Sequence, residues 1–496
     1  MAMALLLVAP MSSVVWRALP LSLGLSATAV IGAGLAVLLF AQSLRGEARH
    51  VAAEALCWGL LAAGGLSIAI SLVQVFLPEL ADGALIARSG IPGRAVGNLR
   101  QPNHLASLMM WTAVAAVFIT EKHRQRPALP LLLFACVFTV VLSASRTGFI
   151  GIAMLAVWGL LDRKLSRFAR LSLLATPLML GASWWLMSLW SAEGTHAFGA
   201  ASRLSEGAGS PSRLAILHDA WALTVANPWL GVGWGEFNFA WSLTPFPARP
   251  IAFFDHTHNL PSQLAVELGL PWAGAVVALL GWALCKAWRG AARNEDDAPL
   301  RRAALMIVLT IGLHSLLEYP LWYAYFLLPA CFAFGLALPS DEVASARVSP
   351  WPWIGGLLVA GSVFAVWDYQ RVVAIYAPSL NDVPLNQRIA AGQRSPFFSH
   401  QADYAAATSQ PPGPLALAAA RRTAFNLVDA RLLMHWSRSL EASGDVESAR
   451  YLADRLREFR NPTGDLWFEA CANPASATSM SQCQPASTVV DWRTLR

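Results

Sequence analysis

The sequence predicts an all-α, polytopic membrane protein with about eleven spans, a long loop outside the membrane and a helical C-terminal domain. Three observations support this fold class. Hydrophobic residues make up 56% of the 496 residues and charged residues only 13%, whereas a soluble domain carries about 25% charged residues. Apolar runs long enough to cross the hydrocarbon core as helices recur up to residue 368. The composition then becomes polar, which predicts a membrane domain over 1–368 and a soluble domain over 369–496.

The predicted spans follow one another in this order: 1–15, 19–41, 52–77, 104–120, 130–143, 148–161, 171–190, 258–285, 303–317, 321–339 and 351–368. The first has no basic segment before it and further spans after it, so it is predicted to be a short span rather than a cleaved signal peptide. The pairs 130–143 with 148–161 and 303–317 with 321–339 are short, and we interpret each as a tilted hairpin with a polar tip. Residues 191–257 form the long loop.

The distribution of basic residues predicts which loops face the cytoplasm, because Lys and Arg accumulate on that side of a membrane protein. All the lysines, Lys122, Lys164 and Lys286, fall in one set of alternate loops together with clustered arginines. We therefore predict a bacterial inner-membrane protein whose long loop, polar hairpin tips and C-terminal domain lie in the periplasm. The net charge of +6 reflects this orientation rather than nucleic-acid binding, since no basic run is interleaved with aromatic residues.

The C-terminal domain contains one clear helical pair in its sequence. Leu417–Leu440 and Val446–Phe459 are predicted to form two helices around the turn at Gly444–Asp445, a pattern that resembles a tetratricopeptide-type hairpin. One hairpin cannot bury both of its faces, so we expect it to pack on its own domain or on the membrane part. In a periplasmic domain, Cys471 and Cys483 could form a disulfide. The Cys and His residues of the chain show no metal-binding spacing.

The loops predicted to be periplasmic are rich in polar residues for so apolar a chain, in the segments 97–104, 143–148, 210–235, 255–263 and 314–320. Ionisable groups at membrane depth each cost at least about 2.5 kcal/mol, so they persist mainly where they face a cavity. Asn259, Gln263 and Glu267 recur every four residues and therefore share one face of a helix. This polar stripe is predicted to line a cleft that is open to the periplasm.

Two arginines and a histidine in these segments suggest the chemistry. Arg146 and Arg213 offer planar, permanently charged donors that suit phosphate groups. His258 offers an imidazole, a group that can accept a proton from an attacking hydroxyl. No nucleotide-binding loop and no Ser/His/Asp order accompanies them. A donor with a built-in leaving group, such as a glycosyl diphosphate lipid, needs neither.

Each of these residues also has a structural interpretation. Arg146 could extend to lipid headgroups, and Arg213 could be an ordinary surface residue. His258 could be a hydrogen-bonded interfacial histidine, and His256 competes with it as the base. The other titratable residues in these segments are expected to be structural: His104, His314 and Glu318.

The same segments resemble those of the O-antigen ligase/polymerase superfamily, and most closely its PglL-type O-linked oligosaccharyltransferases. O-antigen ligases share the pattern His-[Asn/Ser/Gln]-x9-Gly-x2-[Gly/Thr/Tyr]; here His258–Asn259 is followed by nine residues and then Gly269, while Trp272 departs from the last position. The segments GNLRQPNHLA, SASRTG, SPSRLAILHDAW, NPWLGVGWG and HSLLEYPLWYAYFLLP also resemble family blocks. The C-terminal extension is similar to that of PglL-type enzymes.

The resemblance implies a metal-independent glycosyltransferase that needs no cofactor. Its donor would be an undecaprenyl-diphosphate-linked glycan, and its acceptor a Ser or Thr hydroxyl of a periplasmic protein such as a pilin. His258 matches the essential histidine of the family, and Arg146 and Arg213 match its essential arginines. On physical grounds the histidine would act as the base and the arginines would hold the diphosphate. The residues predicted to bind substrate are Gln101, Asn103, Asn259, Gln263 and Tyr319.

Three other functions are compatible with this sequence. An O-antigen ligase would transfer the same kind of glycan to lipid A-core, and a glycan polymerase would extend a glycan chain. The C-terminal helical domain and the GNLRQPNHLA segment favour the protein-modifying enzyme. Outside the enzymes, the alternative is a transporter or flippase of lipid-linked sugars. Transporters typically show internal repeats and mid-membrane sites, whereas the polar residues here cluster on one side.

Overall fold

The computed structural model describes residues 1–192, 196–201, 211–247, 249–293, 295–339, 350–377 and 383–496. Every regular element in these ranges is a helix, so the all-α class is confirmed. Contacts divide the chain into two compact units. Unit 1 comprises Met1–Leu35, Ser210–Leu280 and Ala346–Arg496, and unit 2 comprises Ala36–Gly209 and Gly281–Ser345. The boundary at residue 368 between membrane residues and soluble residues stays a prediction.

The helices before the long loop are α1 (Ala2–Arg17), α2 (Leu21–Ser43), α3 (Gly46–Phe76), α4 (Pro102–Lys122), α5 (Leu129–Ser143), α6 (Arg146–Leu161), α7 (Arg167–Leu174) and α8 (Thr176–Ser191). The next helices are α9 (Pro211–Ala226), α10 (Phe237–Leu243), α11 (Leu260–Leu268), α12 (Leu270–Ala292), α13 (Ala298–Ser315), α14 (Ala324–Ala337) and α15 (Trp351–Tyr376). The C-terminal helices are α16 (Leu385–Gly392), α17 (Ser399–Ser409), α18 (Pro414–Thr423), α19 (Ala430–Ala442), α20 (Val446–Glu458), α21 (Pro462–Phe468) and α22 (Pro474–Ser479).

By length and composition, six of the described helices can cross a membrane, or seven if the bent pair α7 and α8, which meet at 41°, forms one span. Helices α1, α6 and α14 are apolar but shorter. Each predicted span overlaps at least one helix. These helices indicate a multi-pass membrane protein, while the count of about eleven spans stays a prediction.

The eighth predicted span, 258–285, is wrong as a single helix. It is broken at Gly269, which separates α11 from α12 and has φ 79° and ψ 164°. The backbone N–H of Leu270 donates to the carbonyl of Pro228 at 2.7 Å, and a Cβ at position 269 would lie 2.4 Å from the carbonyl oxygen of Trp229. The break therefore exists because another stretch of backbone passes directly against Gly269, a position that only glycine can occupy.

In unit 2, polar contacts join loops that the basic-residue pattern assigns to the same side. Near the ends predicted to be cytoplasmic, Lys122 pairs with Glu54 at 2.6 Å and Arg302 pairs with Asp162 at 2.9 Å. Near the ends predicted to be periplasmic, Asn103 contacts both the tip between α5 and α6 and the tip after α13. The ends of the short hairpins therefore contact the same two sets of loops, one predicted to be cytoplasmic and one periplasmic, as the ends of the longer helices do.

Helix α4 is the central helix of unit 2, and its residues from His104 to Thr120 are buried. Small residues let neighbouring helices approach it closely, as is common in membrane bundles. A Cβ at Gly64 of α3 would lie 2.2 Å from the Thr112 side chain, and one at Gly151 of α6 would lie 2.9 Å from Met110. These glycines fix the separation of α3 and α6 from α4.

The C-terminal hairpin is formed by α19 and α20 on either side of Gly444–Asp445, and the predicted helix Leu417–Leu440 is wrong as a single helix. It is interrupted between α18 and α19, where the Asp429 carboxylate accepts a hydrogen bond from the N–H of Leu432 and begins a new helix. The tetratricopeptide-like character stays a prediction. Cys471 and Cys483 form a disulfide.

Helix α10, which belongs to the long loop, is part of the same hydrophobic core as the C-terminal helices. Phe239 stacks on Phe425 and on Trp436, with ring centroids 5.4 and 6.3 Å away, and all these side chains are buried. The C-terminal hairpin therefore covers its second face partly with residues of the long loop.

Candidate active site

His258 occupies a strained turn directly before α11 in unit 1. Its φ is 56°, in the left-handed region that few residues other than glycine adopt. The next residue, Asn259, caps α11, because its side chain accepts a hydrogen bond from the N–H of Ser262 at 3.0 Å. The half-buried imidazole packs edge-on against Phe254, with ring centroids 5.3 Å apart. The turn fixes the direction of the imidazole at the cost of local backbone strain. Residues in this left-handed conformation cluster at functional sites.

Gln263 and Glu267 lie beneath the protein surface, where they support this turn by hydrogen bonds. They do not line the open cleft that the sequence predicts. Both side chains are buried. The Gln263 carbonyl accepts the N–H of Thr257 at 2.7 Å, and its amide donates to Glu267 at 2.8 Å. The Glu267 carboxylate also accepts backbone hydrogen bonds from Gly235 and Phe237. The expectation that Gln263 contacts substrate stays a prediction.

The glycine-rich loop before α10 packs its backbone against α11. The N–H groups of Val232 and Gly233 donate to the carbonyls of Val266 and Glu267 at 2.8 and 3.0 Å. A Cβ at Gly231 would lie 2.3 Å from the backbone of Glu267. The GVGWG segment therefore supports α11, the helix that follows His258, through main-chain contacts.

A buried contact between Glu236 and Arg496 closes the other side of this loop. The fully buried Glu236 carboxyl group accepts a hydrogen bond from Arg496, and Arg496 also donates to the carbonyl of Arg17 at 2.9 Å. Arg17 in turn donates to the carbonyl of Gly231 at 3.0 Å. Burial raises the pKa of Glu236 to about 8, even though Arg496 and Arg17 act in the opposite direction. No sequence pattern predicts this contact, because Glu236 and Arg496 are far apart along the chain.

Arg213 lies in the first turn of α9, also in unit 1, and is half-buried. Ile216 and Ala220, three and seven residues further along the same side of α9, contribute to the core that includes Val266 of α11. Asp219 of α9 is buried and accepts a hydrogen bond from the Trp241 indole at 3.0 Å. Arg213 and His258 are therefore carried by helices, α9 and α11, that contribute to one core.

Arg146 is the first residue of α6, in unit 2, and is half-buried. The preceding Ser145 caps the helix by accepting the N–H of Gly148 at 3.1 Å. The Ser145 hydroxyl donates to the Asn103 carbonyl oxygen at 2.7 Å, and the Asn103 amide donates to Glu318 at 3.0 Å. This chain of hydrogen bonds fixes the backbone at Arg146.

The other residues predicted to bind substrate in unit 2 are Gln101 and Tyr319. The Gln101 side chain caps α4 by accepting the N–H of His104 at 2.8 Å. Tyr319 follows Glu318 and stacks on Tyr323, with centroids 6.1 Å apart. Gln101, Asn103, Arg146 and Tyr319 are therefore held around one end of unit 2. Arg213, His258, Asn259 and Gln263 belong to unit 1.

Two histidines of unit 2, His104 and His314, pack and form hydrogen bonds, as expected for His104. His104 Nδ1 is hydrogen-bonded to the Tyr325 hydroxyl at 2.8 Å. His314 Nδ1 is hydrogen-bonded to the Ser107 hydroxyl at 2.7 Å. In the part of the chain that the structure describes, no three His, Cys, Asp or Glu side chains are grouped so that they could hold a metal ion. A metal-independent mechanism stays a prediction.

Comparisons with known proteins match three parts of the chain to families. Residues 131–279 match the family described as O-antigen ligase, residues 302–461 the C-terminal part of the virulence factor membrane-bound polymerase family, and residues 95–119 the protein glycosylation ligase family.

Two curated relatives come from Acinetobacter baylyi. A general O-oligosaccharyltransferase is 25% identical over 300 residues, which are 56% of this chain and 50% of the relative. A ComP-specific O-oligosaccharyltransferase is 24% identical over 306 residues, 60% of this chain and 53% of the relative. The chain thus matches about half the length of these relatives. No solved structure matches. The family and relative matches confirm the resemblance predicted from the sequence.

Proposed function

We propose that this member of the O-antigen ligase/polymerase superfamily is a protein O-oligosaccharyltransferase. It transfers a glycan en bloc from an undecaprenyl-diphosphate-linked donor to Ser or Thr hydroxyls of periplasmic proteins such as pilins. The reaction takes place at the periplasmic face of the inner membrane.

One observation carries the chemical part of the proposal. The residues expected to act, Arg146, Arg213 and His258, all lie within the 131–279 match to O-antigen ligases, and each stands at or just before the N-terminus of a helix. Helix N-termini present unpaired backbone N–H groups and the positive end of the helix dipole. Arginine side chains at such positions suit a diphosphate, which carries several negative charges close together.

The mechanism assigns one role to each side chain. Arg146 and Arg213 bind the diphosphate and neutralise the charge that develops on it as the bond between the sugar C1 and the phosphate oxygen breaks. His258 removes the proton from the acceptor hydroxyl while the hydroxyl oxygen forms the new bond to C1. A general base of this kind accelerates such reactions about 10²–10⁴-fold. The lipid diphosphate leaves, and the proton passes from His258 to water.

The periplasmic orientation rests on three features of the chain. The lysines Lys122, Lys164 and Lys286 lie in the opposite set of loops. Cys471 and Cys483 are bonded, and disulfides persist in oxidising compartments. The Ser26 hydroxyl, near the start of α2, donates to the carbonyl of Phe397 at 2.6 Å. This contact links the C-terminal region to a helix end that the same pattern assigns to the periplasm.

A second candidate is transfer to a glycan acceptor, either lipid A-core or a growing polysaccharide. The matches of residues 131–279 to O-antigen ligases and of 302–461 to a membrane-bound polymerase favour it. The protein acceptor is preferred because residues 95–119 match protein glycosylation ligases and both relatives carry the name O-oligosaccharyltransferase.

Mass spectrometry of periplasmic proteins tests the proposal and separates the candidates. Cells with the protein should contain peptides that carry a whole glycan on Ser or Thr, and cells without it should not. Lipopolysaccharide from the same two strains serves as the comparison. Unmodified proteins combined with a change in lipopolysaccharide would refute the protein acceptor and favour the second candidate.

A further inference from the structure

Helix α9 has two apolar faces, and only one of them is covered by the protein residues that the structure describes. The buried face carries Ile216, Ala220 and Leu223, which join the hydrophobic core of unit 1. The other face carries Leu214, Trp221 and Val225, whose exposed fractions are 72%, 59% and 58%. These positions are seven and four residues apart, so they form one stripe along the helix.

This stripe is unusual for a surface that faces water. Large exposed apolar patches on a protein surface mark sites that contact another protein, a ligand or a membrane. The stripe is continued after the helix by Trp229, which is 75% exposed, and by the exposed Leu230. One polar residue, the exposed His218, lies on the same face.

A hydrogen bond connects the end of this surface to the start of a membrane-crossing helix. Pro228, next to Trp229, accepts the backbone N–H of Leu270 at 2.7 Å. Leu270 is the first residue of α12, which is long and apolar enough to span a membrane. Leu270 and Val277 of α12 are also exposed apolar residues. The exposed surface that follows α9 is therefore continuous with a surface that lipid would cover.

We propose that α9 is an interfacial helix whose stripe of Leu214, Trp221 and Val225, continued by Trp229 and Leu230, is covered by lipid hydrocarbon chains where α12 enters the membrane. Tryptophans favour this zone because the ring is apolar and the indole N–H can reach water. An amphipathic helix in this position buries its apolar face near the boundary between headgroups and acyl chains. The partner of the stripe is the lipid surface itself.

This position has a consequence for Arg213, which rests on the proposed function. Arg213 lies in the first turn of the same helix, so immersion of the stripe holds its guanidinium near the level of the lipid phosphates. Arginine side chains extend readily from apolar surroundings to that level. The long loop thereby brings a diphosphate-binding residue to the depth of a membrane-anchored diphosphate.

Spin-label accessibility in the full chain tests the immersion without any glycan transfer. The cysteines outside the disulfide, Cys57, Cys136, Cys285 and Cys331, are replaced by alanine. A single label is then placed at Trp221→Cys or Val225→Cys, and the protein is reconstituted in vesicles of phosphatidylethanolamine and phosphatidylglycerol. Oxygen, which concentrates in lipid, is compared with a water-soluble nickel chelate.

Two reference labels make the result unambiguous. Val277→Cys, in α12, reports lipid, and Leu415→Cys, an exposed apolar residue in α18, reports the surface of the C-terminal domain. The labels at 221 and 225 are expected to match Val277→Cys, with an oxygen-to-nickel ratio several-fold above that of Leu415→Cys. Nickel accessibility at 221 and 225 equal to that at 415 would overturn the proposal. Because no donor or acceptor is needed, this result is independent of whether the transfer reaction is confirmed.

Discussion

At the scale of single residues, the His258 turn is held by contacts that the sequence pattern suggested only in part. The spacing correctly predicted that Gln263 and Glu267 share one face of α11, because a side-chain pattern reports which residues share a side, whereas Asn259 precedes the helix as its cap. The pattern did not show which part of the chain contacts that side of the helix. The buried Glu267 accepts hydrogen bonds from the backbone of a loop about thirty residues earlier, and Gln263 connects Glu267 to the backbone of Thr257. Such long-range contacts leave no periodic signal.

The arginines give a prediction about phosphate recognition. Arg146→Lys and Arg213→Lys should each lower the transfer rate about tenfold or more, because lysine keeps the charge but loses the two-pronged donor, and a charge-assisted hydrogen bond contributes about 1.5–3 kcal/mol. Donor affinity should fall with the rate. The matched control is Arg163→Lys, an exposed residue in a loop predicted to be cytoplasmic. Unchanged kinetics in both variants would remove these arginines from the mechanism.

The raised pKa of Glu236 predicts how the free energy of unfolding depends on pH. Burial raises its pKa from the ordinary value of 4.5 to about 8, so between these values the folded chain keeps a proton that the unfolded chain has lost. The contribution of Glu236 to the free energy of unfolding therefore falls as the pH rises through that window, by up to about 1.4 kcal/mol per pH unit. Glu236→Gln removes this dependence.

Melting temperatures in detergent at pH 5, 6, 7 and 8 measure the effect. The melting temperature of Glu236→Gln, taken relative to the wild type, should rise steadily across this series. A difference that stays constant with pH would show that the carboxylate does not gain a proton on folding.

At the scale of elements, the decisive feature is the break between α11 and α12. The sequence places Gly269 at a motif position, but the apolar run on both sides favoured one continuous helix. The break depends on the approach of Trp229, which belongs to a different part of the chain. The C-terminal interruption differs, since Asp429 is a helix-starting residue and its capping signal was present in the sequence.

Gly269→Ala should destabilise the protein and reduce transfer. Alanine there would hold a backbone conformation that is almost restricted to glycine, at a cost of about 1–3 kcal/mol, and its Cβ would lie 2.4 Å from the Trp229 carbonyl. Gly274→Ala, in α12 just after the break, is the matched control, because nothing lies within 4 Å of its Cβ. Thermal melting and transfer assays compare the two. Equal stability of both variants would refute this account of the break.

At the scale of the whole molecule, composition and hydropathy were sufficient to predict an all-α membrane protein. These properties are set by the bilayer, which requires apolar helices whatever their tertiary contacts. Domain boundaries were harder to predict, because α10 of the long loop packs its Phe239 into the core of the C-terminal helices. Lengths of apolar runs mark the membrane but do not show which soluble segments share a core.

Reporter fusions test the topology on which the proposed site depends. An alkaline phosphatase fused after Arg496 should be active, and a green fluorescent protein at the same place should be dark. Fusions within 286–302, where Lys286 and several arginines lie, should give the opposite result. A C-terminal fusion that reports the cytoplasm would place the predicted residues on the wrong side for a periplasmic reaction.

The central claim is that this chain moves a whole glycan to a protein hydroxyl with His258 as the base. It is tested most directly with purified protein in vesicles, an undecaprenyl-diphosphate-linked glycan and a pilin acceptor, by measuring the intact mass of the acceptor. Wild-type protein and His256→Ala should add the mass of one complete glycan at a Ser or Thr, while His258→Ala should fold and bind the donor but add nothing. An acceptor left unmodified by the wild type, or modified equally well by His258→Ala, would contradict the account.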